Sequence, residues 1–176
     1  LLFSAYQFEG PSAVRYPRGK GTGVAIERDM QNFVVGKGRT VRKGRDIAII
    51  NFGTLLPGAV IAADKLDATV CDMRWAKPLD HELIEALANS HKLIVTLEEN
   101  SIAGGAGSGV TEYLSAQGIL LPTLHLGLPD RYIDHGKREK ILAAIGLDAK
   151  GIETRVRQRM QTIAKSSNTA FNQKIF

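Results

Sequence analysis

Asp46-Ile47-Ala48-Ile49-Ile50-Asn51, running into Phe52-Gly53-Thr54, decides the fold class. An unbroken apolar run of this length, rich in isoleucine and closed by a glycine turn, reads as a strand buried on both faces. A strand with one face in water would alternate instead. Immediately after it, Leu55, Leu56, Ala59, Val60, Ala63 and Leu66 recur at helical spacing, and Pro57 is tolerable in a first turn. Residues 68–73 give a second strand. Pro78-Leu79-Asp80 then opens a helix to about residue 90, with Asp80 placed to cap it and to face the positive end of its dipole.

The alternation continues outward. A third strand is predicted over 92–98, then a glycine-rich loop, a helix over 108–117, a fourth strand over 120–126 and a helix over 137–145. Asp148 is placed to cap a last helix running to about residue 165. Strands and helices in alternation over short connections predict an α/β fold, a mostly parallel sheet with helices on both faces.

Residues 1–45 do not follow this repeat. Residues 10–24 are dense in glycine and proline, and Val35-Gly36-Lys37-Gly38 is a further turn signal. Leu1-Leu2-Phe3-Ser4-Ala5-Tyr6 reads like the inside of a packed element, so the chain is expected to be a fragment. The expected division is 1–32 as the end of an upstream α/β domain and linker, 33–165 as the main domain, and 166–176 as a tail.

Composition narrows the function classes. The 176 residues, 44% hydrophobic and 23% charged, suit one well-buried soluble domain. A single cysteine, Cys71, excludes an internal disulfide and fits a reducing compartment. The charge-free stretch 47–63 is interrupted by Asn51, Gly53, Thr54, Pro57 and Gly58 and does not read as a membrane span. The net charge of +5 raises nucleic acid as a partner, but aromatics are only 6% and the basic residues are dispersed. Arg155, Arg157 and Arg159 read as a solvated helix face.

The strongest candidate for chemistry is Arg15-Tyr16-Pro17-Arg18-Gly19, running into Lys20-Gly21-Thr22-Gly23. Proline restricts its own φ and the residue before it, so the second arginine is aimed reproducibly. Guanidinium groups match phosphate or carboxylate oxygens, and the glycines admit a close approach. The same arginines at a strand end pairing with surface carboxylates is the competing reading. Glu98-Glu99-Asn100, leading to Gly104-Gly105-Ala106-Gly107-Ser108-Gly109, follows a strand and opens a helix, where α/β folds place ligands. Its spacing departs from the phosphate-loop patterns, and its glutamates would repel an anion. The favoured reading has the glycines permitting close packing and the carboxylates meeting helix amides or a partner. Arg74-Trp75-Ala76-Lys77-Pro78 could hold a ligand, but a strand-to-helix turn accounts for it. His81, His91, His125 and His135 lack metal-ligand spacing, so no metal site is expected. Of the four, His135 in its loop is the first candidate for a polar role, but a structural histidine is the favoured reading. Cys71, in mid-strand, reads as buried rather than nucleophilic.

The order and wording of the motifs go further. The stretch 10–19, Asn51-Phe52-Gly53-Thr54, Asp72-Met73-Arg74, Lys77-Pro78-Leu79-Asp80, the Glu98-Glu99-Asn100 segment with its glycines, Gly127-Leu128-Pro129-Asp130 and Gly146-Leu147-Asp148 together resemble the 1-deoxy-D-xylulose-5-phosphate synthase branch of the transketolase superfamily. The resemblance covers residues 10 to about 160. It implies an enzyme, a transferase that condenses pyruvate with glyceraldehyde 3-phosphate, with loss of CO2, for isoprenoid, thiamine and pyridoxal phosphate synthesis. Thiamine diphosphate and Mg2+ would be bound by upstream domains. The whole would be a bacterial cytoplasmic homodimer without nucleic-acid or membrane partners. This chain would be the last strand of the pyrimidine-binding domain plus the C-terminal domain, with no catalytic, cofactor or metal residue of its own, and inactive alone. By the same resemblance Arg18 would clamp the phosphate of glyceraldehyde 3-phosphate. Arg15 stands second to it, with a structural role as its alternative. The runner-up readings are a β-type subunit of a thiamine-dependent 2-oxo acid dehydrogenase and a non-enzymatic α/β docking module.

Overall fold

The computed structural model describes residues 1–14, 21, 23, 25 and 28–172, the stretch 167–172 by its backbone alone. The chain divides into two units, Leu1–Val35 and Gly36–Phe176.

In the first unit the regular element among the described residues is a helix, α1 (Leu2–Gln7); the strand implied by the resemblance is not tested, because part of residues 15–27 lies outside the described residues. Phe33 donates its amide to the Ser4 hydroxyl at 2.9 Å, and the Ser12 hydroxyl donates to the Ala5 carbonyl at 3.0 Å. None of the helix residues is buried, and Leu2, Tyr6 and Phe8 are exposed.

The second unit holds a five-stranded sheet in the order β1-β3-β2-β4-β5. β2 (Ile47–Phe52) and β4 (Leu93–Ser101) lie side by side in parallel, flanked by β3 (Thr69–Asp72) and β5 (Thr123–Leu128), also parallel. Ile47 to Asn51 are all buried, as the opening run of isoleucines requires. Their alternation feeds two cores. Ile47, Ile49, Leu93, Val95 and Leu97 pack with Ala59 and Ala63 of α2 (Leu56–Leu66), Leu142 of α5 (Arg138–Ala144), and Ile152 and Val156 of α6 (Ala149–Asn172). On the opposite face Ala48, Ile50 and Ile94 pack with Ile84 and Leu87 of α3 (His81–Ser90) and with Val110 and Leu114 of α4 (Ala106–Ala116). Helices on both faces of a mostly parallel sheet are the expected fold class.

Both predicted caps form: the Asp80 carboxylate accepts from the Leu83 amide at 3.2 Å and that of Asp148 from the Gly151 amide at 2.8 Å. Several boundaries, and one whole element, differ from expectation. β5 begins at Thr123 rather than 120, because Pro122 brings no amide and offers its carbonyl to Ile94, while Leu120 is 96% exposed. α4 begins two residues early, and α6 continues to Asn172 rather than ending near 165. β1 (Arg39–Arg42) was not expected at all: a short, charged strand that pairs antiparallel with β3 at the sheet edge. Such residues lie where one side of the backbone meets water.

Candidate functional site

At the carboxyl ends of β2 and β4 the chain leaves toward opposite faces, β2 to α2 and β4 to α4. This divergence of neighbouring strands is where open α/β sheets form a crevice. Thr54, following β2, and Glu99, near the end of β4, meet there: the Thr54 hydroxyl donates to the Glu99 carboxylate. Arg138, at the start of α5, forks onto Glu99, with Nε at 3.1 Å from Oε1 and Nη2 at 2.7 Å from Oε2; Nη2 also reaches the Thr54 hydroxyl at 2.9 Å. The hydrogen bond to Glu99 raises the guanidinium's already high pKa further. Sequence reading missed Arg138, which stands 39 positions from Glu99 with no local signal joining them.

The neighbouring Glu98 has a different task. It is 3% exposed, and its two oxygens accept from the amides of Ala106 and Gly107, each at 2.9 Å. These amides open α4 and would otherwise lack partners. Carboxylates meeting helix amides was the expected reading of this segment, and Glu98 fulfils it. Close packing by the glycines holds as well. A Cβ on Gly105 would strike the Ser101 carbonyl and the Glu98 carboxylate, and one on Gly107 would strike the Thr96 hydroxyl.

Beneath α4, the Thr96 hydroxyl and Nδ1 of His125 lie 2.6 Å apart. Burial pushes the imidazole below its ordinary 6.5, against the attraction of Glu98. The unfolded chain therefore takes up a proton here more readily than the folded one. His125 costs nothing well above pH 6.5, and stability falls as the pH drops from there toward the lower folded-state value. The urea midpoint of the wild type is expected to decline faster over this window than that of His125→Gln; equal slopes would show that His125 does not titrate there.

The remaining histidines have no shared centre. His91 donates from Nδ1 to the Leu87 carbonyl at 3.0 Å, leaving Nε2 to accept from the Thr69 hydroxyl at 2.8 Å. His81 stacks on Tyr113 at 3.8 Å, and His135 is exposed in a loop. Among the described residues no group of three or more His, Cys, Asp and Glu converges to hold a metal ion. Cys71 is buried, and burial raises its thiol pKa, so the thiolate is disfavoured.

Arg74 carries the turn after β3 and is less ordinary than a turn requires. Its φ is +64°, its side chain is 14% exposed, and Nε lies 3.3 Å from Asp72. A non-glycine residue held in this region at a strand end marks a site whose surroundings enforce the geometry. Arg15 and Arg18 lie outside the described residues.

Compared with known families, residues 36–152 match the transketolase C-terminal domain. The chain belongs to that family. This transketolase C-terminal domain is 54% identical over 167 residues to the 1-deoxy-D-xylulose-5-phosphate synthase of Cellvibrio japonicus, covering 95% of this chain and 26% of that protein. It is 53% identical to the protein of that name from Chromobacterium violaceum, over 91% of this chain and 26% of the relative. The chain thus spans about a quarter of the length of the curated relatives it matches. Among solved structures, a split gene transketolase described as an inactive beta4 tetramer superposes with a TM-score of 0.70 at 30% identity, over 80% of this chain and 46% of that one. The fold and the family resemblance read from the motifs both stand. No helix among the described residues is long and apolar enough to cross a membrane.

The α4 amides that could receive a phosphate are taken by Glu98.

Proposed function

We propose that this chain is the C-terminal part of a thiamine-diphosphate-dependent synthase that joins pyruvate to glyceraldehyde 3-phosphate, with loss of CO2, giving 1-deoxy-D-xylulose 5-phosphate. The observation that carries the proposal is the 54% identity to a protein of that name across 95% of the chain. On this reading thiamine diphosphate and Mg2+ belong to the part of the enzyme outside this chain, and the working form is a cytoplasmic homodimer. The chain's contribution to chemistry is cationic. Arg18 binds the phosphate of the aldehyde, and Arg15 is a weaker second candidate, with a structural role as its alternative. The described domain supplies the scaffold, with its crevice held by Thr54, Glu99 and Arg138.

The test separates acceptor from donor. In the complete enzyme, Arg18→Ala should lose roughly 1.5–3 kcal/mol of aldehyde binding, the usual worth of a hydrogen bond to a charged group. The Michaelis constant for glyceraldehyde 3-phosphate should rise about 10- to 160-fold, while that for pyruvate stays put. An unchanged constant for the aldehyde would sink the assignment of Arg18. Absence of pyruvate decarboxylation in the wild-type enzyme would sink the reaction itself.

A further inference from the structure

The arginines of α6 were read as one solvated face, and the structure divides them. Arg157 is committed: Nε donates to Glu153 at 2.9 Å and Nη2 to the Lys65 carbonyl at 2.8 Å. Arg155 and Arg159 stand one turn apart, on the other side of the buried Ile152 and Val156, and both are half-buried. Neither makes an ion pair among the described residues. Nε of Arg159 is shut away from water without a hydrogen-bond partner. The side chain of Arg155 is pressed toward the Gly146 turn, and burial alone, with no acid to offset it, lowers its pKa.

A half-buried guanidinium without a counter-ion is costly, and two at adjacent turns repel one another as well. Charges in that position are satisfied when an anion arrives. We infer that Arg155 and Arg159 together form a binding site for one phosphate group. Residues four apart on a helix bring their Cβ atoms to about 6 Å, so two planar forks can close on a single centre. Their combined charge balances a phosphate dianion. A lone carboxylate would bring only half the charge.

The probe is inorganic phosphate, titrated into the chain at matched ionic strength and followed by phosphorus NMR line width and by thermal unfolding. Saturable broadening with a rise in the unfolding temperature is expected. The double variant R155Q/R159Q should weaken binding about tenfold or more, while R157Q stays within about twofold of wild type. R155K/R159K keeps the charge but loses the forks and should fall between them. Circular dichroism of each variant guards against misfolding. Wild type and R155Q/R159Q responding alike, or no response to phosphate at any concentration, would overturn the site. Glycerol phosphate and a phosphoserine peptide then identify the source. Tighter binding of the first assigns a small metabolite and of the second a macromolecule, and either outcome upholds a phosphate site.

Discussion

Glu98→Ala is expected to destabilise the domain by about 3–5 kcal/mol. The carboxylate accepts two amide hydrogen bonds at 2.9 Å in a 3% exposed position. Bonds to charged groups contribute roughly 1.5–3 kcal/mol each, and alanine leaves both amides orphaned beneath the loop. Against this stands the relief of burying a charge, which keeps the figure from the top of the simple sum. Glu98→Gln should recover part of the loss, since one oxygen remains while its amino group faces a donor. Urea denaturation of the purified chain measures both. A cost under about 1 kcal/mol for the alanine variant would mean that water replaces the carboxylate at α4.

Gly151→Val is expected to cost about 3 kcal/mol. A Cβ at this position would sit 2.5 Å from the Gly146 Cα and 2.6 Å from its carbonyl carbon, and both are backbone atoms that cannot rotate aside. Helix propensity works the other way, because glycine inside a helix is worse than valine by a few tenths of a kcal/mol. The collision outweighs it. Gly146 holds the turn between α5 and α6 at φ +70°, so displacing it also disturbs the Asp148 cap. Thermal unfolding checks the sign: a variant as stable as wild type would show that the turn yields without cost.

Much of the sheet was legible because β2, β3 and β4 are buried on both sides. The run Ile47-Ala48-Ile49-Ile50 admits one reading, and the caps Asp80 and Asp148 announce themselves by type and place. Glu98 was legible in kind, as a carboxylate next to a helix start, though nothing local singles it out from Glu99. β1 was not legible: Arg39-Thr40-Val41-Arg42 has the composition of a loop, and only its ladder with β3 makes it a strand. The fork of Arg138 onto Glu99 rests on a fold-level approach that no spacing encodes. Arg18, assigned by the family resemblance rather than by the residues alone, falls outside the described part of the chain, so its test is kinetic.

The charged edge strand also governs how the domain keeps its own company. The outer rim of β1 is flanked by Arg39 and Arg42, each held by a carboxylate of the domain, and its pairing with β3 is broken by an irregularity between Thr40 and Arg42. A second copy approaching that rim in register would meet arginines with arginines along a strand too short and too uneven to template it. The sheet therefore stops growing on that side, and the isoleucine-rich centre that drives folding is kept from driving aggregation.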